Sequence, residues 1–207
     1  TLVLISSYSG NTEETLSAGQ EAARRGAKLA AITSGGKLAS WARKEGFPLL
    51  QVPAGWPPRA AFGTMTFAPL GMLVRMGWIK KRDLSVDRAC DAVEEFTADA
   101  LAPSVPTRKN PAKQLAGSLK GRLPVIYGAS DGWEGVVYRW RTQFEENAKT
   151  LTFHHIFPEA THNEISAWLH PKPLMRRFTA VFLTDPAAHP RTLRRMEFTR
   201  RIIQGEG

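Results

Sequence analysis

The sequence predicts an α/β protein in two halves, each a parallel sheet flanked by helices. Short apolar runs with β-branched residues alternate with longer helical stretches, and the alternation restarts in the second half after a proline-rich break. Composition agrees. Of the 207 residues, 43% are hydrophobic and 23% charged, which suits a globular chain and excludes a disordered or collagen-like one.

The first strand is expected over residues 2–5, closed by the polar run Ser6-Ser7-Tyr8-Ser9-Gly10-Asn11-Thr12. A helix follows over 13–25. Glu13 and Glu14 stand in its first turn, Arg24 and Arg25 in its last, and Gly26 just beyond, so each charge complements the helix dipole. Residues 29–33 read as a second buried strand, Ser34-Gly35-Gly36 as a turn, then a short helix up to Gly46 and a third strand over 49–52. Past the loop Pro53-Ala54-Gly55-Trp56-Pro57-Pro58, helices are expected near 60–76 and 85–101. Pro69 predicts a kink or break in the first of these, since it lacks an N–H and crowds the preceding turn. Cys90, on the apolar side of the second, is expected in the core.

Residues 102–107, with Pro103 and Pro106, form the expected linker, so the domains are placed at 1–105 and 106–207. The second begins with Asn110 as N-cap, Pro111 at the first helical position and Gly121 as the stop. Strands over 123–127, 152–156 and 179–184 then alternate with helices over 133–149, 163–169 and 191–203.

The formal charge is +9, from 28 Lys and Arg against 19 Asp and Glu. Residues 171–207 carry eight basic and three acidic side chains, so +5 of it is local to that stretch. An Arg-rich helix there can serve a nucleic acid, but no base-reading fold accompanies it; an exposed face or a dimer contact is expected instead. Cys90 is the single cysteine, which excludes an intrachain disulfide and suits a cytoplasmic protein. No apolar run approaches the ~20 residues of a membrane span, so no membrane partner is expected. The chain opens on Thr1 and a strand, with neither Met nor a signal peptide, and reads as a segment of a longer protein.

Ser7-Tyr8-Ser9-Gly10-Asn11-Thr12 is the strongest local feature. Between a strand and a helix, it offers hydroxyls, a glycine that admits close backbone approach and a fresh helix N-terminus, which together suit a phosphate. The alternative is an ordinary N-cap, where Ser and Thr are favoured anyway. The run is neither a Walker A loop nor a dinucleotide-binding glycine fingerprint. His154 and His155 are adjacent in a strand and point to opposite faces, while His170 and His189 lie beside prolines in expected turns, so no metal site is expected.

The stretch Ser7-Tyr8-Ser9-Gly10-Asn11-Thr12-Glu13-Glu14-Thr15 resembles the phosphosugar-binding signature of sugar isomerase (SIS) domains. Three further stretches resemble signatures of bifunctional phosphoglucose/phosphomannose isomerases. They are Pro57-Pro58-Arg59-Ala60-Ala61, Arg139-Trp140-Arg141-Thr142-Gln143-Phe144-Glu145-Glu146-Asn147-Ala148-Lys149, and His162-Asn163-Glu164-Ile165. The resemblance implies two SIS-type domains, with a strand expected before Thr1 and helices after Gly207. It implies a homodimer with shared active sites that interconverts glucose 6-phosphate, and mannose 6-phosphate, with fructose 6-phosphate through an enediol, without metal or organic cofactor. It further implies that Ser7, Ser9 and Thr12 bind the substrate phosphate, Glu146 moves the proton between C1 and C2, His162 opens the ring from the neighbouring subunit, and Arg59 faces the enediolate. The alternative function is a non-catalytic SIS module that binds a phosphosugar and regulates a partner. Such a module has no need of Glu146 and His162.

Overall fold

The computed structural model describes residues 1–81 and 84–206, and within them the strands and helices follow the predicted alternation. The chain divides into two compact units, Thr1–Ala89 and Cys90–Gly207.

In the first unit β1 (Leu2–Ser6), β2 (Lys28–Thr33) and β3 (Leu49–Gln51) form a sheet in the order β1-β2-β3, linked by helices α1 (Glu13–Arg24) and α2 (Gly36–Glu45). Both pairings are parallel, Leu2 beside Lys28 and Ala31 beside Leu49, which is why each connection must cross over as a helix. Ile5, Leu29 and Ala31 form the core with Leu38 and Ala42 of α2, edged by Leu16 and Trp41. Each large aliphatic chain so buried contributes about 1.5–3 kcal/mol. Gly46 ends α2 as expected, left-handed at φ 74°, its N–H donating to the Ala42 carbonyl at 2.9 Å. α3 (Phe62–Arg75) is one span with Pro69 inside it, so the expected break does not occur. Its only necessary loss is the bond that a Pro69 N–H would have made to the Met65 carbonyl.

α4 (Val86–Phe96) continues as a wide turn over Thr97–Leu101. Cys90 is exposed there, against the expectation of a core position. The helix is amphipathic, but none of its residues is buried, and a one-sided apolar pattern does not by itself supply a cover. Asn110 caps α5 (Pro111–Leu119) as predicted, accepting the Lys113 N–H at 3.0 Å. Its Nδ2 also donates to the Ala102 carbonyl, and Lys113 Nζ to the carbonyls of Pro103 and Val105, so the proline-rich stretch is fastened to α5.

The second sheet runs β5-β4-β6, all parallel, from β4 (Leu123–Ala129), β5 (Phe153–Phe157) and β6 (Phe178–Phe182). Its helices are α6 (Glu134–Gln143), the single turns α7 (Ala160–Asn163) and α8 (Lys172–Met175), and α9 (Pro190–Glu206). β4 is central and buried on both faces. Val125, Tyr127 and Ala129 pack with Phe157, Trp168 and Met196, while Ile126 packs with Leu119, Val137 and Val181. The helix expected over 163–169 is a 3-10 turn, Ile165–Leu169, following α7. α8, which starts just after Pro171 and holds Pro173 in its first turn, was not expected.

Candidate active site

The loop over residues 7–12 leaves the carboxyl end of β1, where open parallel sheets present ligand sites. Strand pairing runs on into it: the Ser7 N–H donates to the Ile32 carbonyl at 3.1 Å. The Tyr8 carbonyl then accepts from the Ser34 N–H, Ser34 Oγ and Thr33 Oγ1 at 2.9, 2.6 and 3.2 Å. Two glycines let this loop meet the turn at 34–36 backbone to backbone. Gly10 has φ 68° and a Cβ there would stand 1.9 Å from the Gly35 carbonyl oxygen; Gly36 has φ 69° and a Cβ would stand 2.3 Å from that of Ser9. Asn11 Oδ1 accepts the Lys37 N–H at 3.0 Å and completes the fastening.

Ser7, only 7% exposed, shares a 2.8 Å hydroxyl hydrogen bond with Thr12, and its Oγ accepts the Gly10 N–H. Ser9 is exposed, its Oγ accepting the Asn11 N–H at 3.3 Å. Thr12 stands at the N-cap position of α1, yet its side chain caps no helix N–H. Ordinary capping therefore does not describe it. Among the described residues no side chain caps the start of α1, and a helix start of that kind suits an anion. Glu13 and Glu14 share that turn, so any pull of the loop on an anion would come from oriented N–H and O–H groups, not from net charge. Arg59 is exposed on the 3-10 turn Pro58–Ala60 of the same unit.

In the second unit α6 passes into a wide, π-type turn, Phe144–Ala148, a geometry often found at functional sites. Glu145 is half-buried and paired with Arg141 at 3.0 Å. Glu146 is exposed, and among the described residues its carboxylate has no partner; its carbonyl accepts from Lys149 Nζ at 2.7 Å. His162 is exposed on α7, with its backbone N–H on the Glu159 carbonyl and its ring bonded to none of the described residues. Beside it, Arg195 Nη1 of α9 donates to Thr161 Oγ1 at 3.2 Å.

The two are not brought together. The turn of Glu146 leads into β5 and α7 leaves it, so they lie toward opposite ends of a five-residue strand. At about 3.3 Å per residue that is on the order of 15 Å, beyond the reach of one proton-transfer site.

A buried polar network behind His162 escaped the sequence reading. Tyr127, 1% exposed, donates its hydroxyl to Glu164 Oε1 at 2.6 Å and accepts from Trp168 Nε1 at 2.9 Å. The other oxygen of Glu164 is bonded to His155 Nδ1. Burial above all, then the bond to Glu164 and its charge, pushes the Tyr127 phenol well above its ordinary range. The network ties the residues after α7 to β4 and β5. Its one sequence signal is Glu164 within His162-Asn163-Glu164-Ile165. As expected, His154 points the other way; it meets Tyr138 edge-on, and burial chiefly lowers its pKa.

Residues 108–207 match the family described as bacterial phospho-glucose isomerase C-terminal SIS domain. Over 206 residues the chain is 43% identical to the bifunctional phosphoglucose/phosphomannose isomerase of Caldicellulosiruptor bescii, covering 99% of this chain and 60% of that protein. This chain is a homologue of the bifunctional phosphoglucose/phosphomannose isomerases. The protein of that name from Aquifex aeolicus is 34% identical over 206 residues, covering 100% of this chain and 59% of its own length. The chain thus spans about three fifths of these curated relatives. Among solved structures, glucosamine-6-phosphate deaminase from Thermotoga maritima superposes with a TM-score of 0.67 at 16% identity, over 97% of this chain and 58% of that one, a likeness of fold. Among the described residues no helix is long and apolar enough to cross a membrane.

Proposed function

We propose that the protein to which this chain belongs is an aldose–ketose isomerase that interconverts glucose 6-phosphate, and mannose 6-phosphate, with fructose 6-phosphate. It acts in the cytoplasm, in glycolysis and gluconeogenesis, as a homodimer. The observation that carries the reading is the 43% identity, along 99% of this chain, to a protein named for that pair of activities. The domain boundary is proposed near residue 105, with two SIS-type domains; the family match starting at residue 108 supports it, although the compact units divide earlier, within α4.

The substrate phosphate is bound by Ser7, Ser9 and Thr12 together with the uncapped N–H groups of α1. His162 moves a proton between the ring oxygen and O1 to open the sugar, work suited to an imidazole, which can both give and take a proton. Glu146 takes the proton from the carbon beside the carbonyl and returns it to the neighbouring carbon, and Arg59 stabilises the negative charge that develops on oxygen in between. The separation of Glu146 from His162 along β5 supports an arrangement in which each site takes its His162 from the partner subunit. Glu146→Gln and His162→Ala proteins, each inactive, are then expected to regain activity when mixed. Statistical exchange makes half the dimers mixed, each with one intact site, so about a quarter of wild-type activity returns. Confirmed exchange without activity refutes the shared site.

The experiment for the function itself is a coupled assay of the full-length protein with each aldose phosphate. Turnover of both is expected. Binding without turnover would favour the regulatory module.

A further inference from the structure

The hydroxyl of Tyr8 is the hinge pin of the first unit's loops. It donates to the Pro53 carbonyl at 3.1 Å and accepts the Trp56 N–H at 3.1 Å. Among the described residues these are the hydrogen bonds that join residues 53–56 to another segment. The loop is otherwise exposed from Pro53 onward, with Gly55 at φ 103°, and Trp56 stands half in solvent. From Trp56 to Arg59 the chain has little freedom. Pro57 and Pro58 fix two φ angles, and the N–H groups of Ala60 and Ala61 close onto the carbonyls of Pro57 and Pro58 at 2.8 and 3.1 Å. A shift at Trp56 is therefore passed on to Arg59 rather than absorbed.

Tyr8 is held at its other end as well. Its carbonyl takes three hydrogen bonds from Thr33 and Ser34, and it sits in the loop whose hydroxyls and uncapped helix start suit a phosphate. We infer that Tyr8 is a positioning residue that sets Arg59 relative to the phosphate-binding loop. The inference rests on the reading of Arg59 as the group facing the enediolate, and adds to it a reason why a tyrosine stands in the middle of a serine-rich anion loop. A phenylalanine would fill the same space and leave the loop backbone unchanged. What it lacks is the pair of hydrogen bonds to residues 53 and 56.

The test is a mutant cycle on the full-length protein, assayed with glucose 6-phosphate: Tyr8→Phe, Arg59→Ala and the double variant. Tyr8→Phe is expected to lower kcat roughly tenfold, the scale of loss for a misplaced group, while KM changes by less than about twofold. In the Arg59→Ala background the same change is expected to cost nothing further, because the residue it positions is gone. A tenfold loss in both backgrounds overturns the inference and leaves the proposed function standing. So does an unchanged kcat, or a rise in KM alone, which would make Tyr8 part of phosphate binding. If Arg59→Ala itself stays within twofold of wild type, the reading of Arg59 fails first and this inference with it.

Discussion

The loop of residues 7–12 and the turns that carry Glu146 and His162 are built on opposite plans. The loop is over-determined: the Tyr8 carbonyl takes the hydroxyls of Thr33 and Ser34, and Gly10 and Gly36 stand where no Cβ fits against the facing backbone. Glu146 and His162 stand exposed on short helical turns, and their neighbours do the holding, Glu145 on Arg141 and Glu164 on Tyr127 and His155. Binding a phosphate asks for many donors fixed at once, and backbone supplies them without ordering long side chains. Moving a proton asks for a carboxylate or imidazole with its lone pairs unengaged. Rigidity is placed in the backbone in one case, and one or two residues away from Glu146 and His162 in the other.

The contrast breaks most readily at Gly10. Gly10→Ala is expected to destabilise the first unit by roughly 3 kcal/mol or more, from left-handed strain plus the clash with Gly35. Gly26→Ala is the control. It has φ 76° but nothing within 4 Å of a Cβ, so only the strain of ~1 kcal/mol remains. Urea denaturation compares the two, and equal costs would mean that the loop contact contributes nothing.

Behind His162, Glu164→Met leaves the buried Tyr127 hydroxyl without its acceptor and His155 without its partner. A loss of about 2 kcal/mol in unfolding free energy, read as a lower urea midpoint, is expected for a buried group left unpaired. A variant as stable as wild type would show the network to be incidental to the placement of α7.

The smallest change concerns the hydroxyls. Replacing Ser9 and Thr12 together by Ala keeps the backbone donors, so fructose 6-phosphate affinity is expected to fall several-fold and not to vanish. Calorimetry showing unchanged affinity would remove both residues from the phosphate site.

The strands, the principal helices and the position of the loop between β1 and α1 were legible because each rests on local pattern: apolar runs, charged helix ends, Asn110 before Pro111, hydroxyls between strand and helix. What stayed hidden depends on distance along the chain. Tyr127 finds Glu164 37 residues away, and Gly10 meets Gly35 across a strand and a helix. Neither link leaves a periodic trace. Cys90 misled for the converse reason, since an apolar helical face does not say whether anything covers it. Glu146 and Glu145 are neighbours of the same type, and burial and the ion pair to Arg141 tell them apart.

The central claim is that Glu146 is the base of an enediol isomerisation, and isotope exchange tests it most directly. Wild-type full-length protein, given fructose 6-phosphate in deuterated water, is expected to place solvent deuterium at C2 of the glucose 6-phosphate formed, read by proton NMR. Glu146→Gln is expected to slow that incorporation by orders of magnitude while phosphate-driven binding stays nearly intact, because the lost interaction belongs to the transition state. A Glu146→Gln protein that incorporates deuterium at the wild-type rate would contradict the assignment.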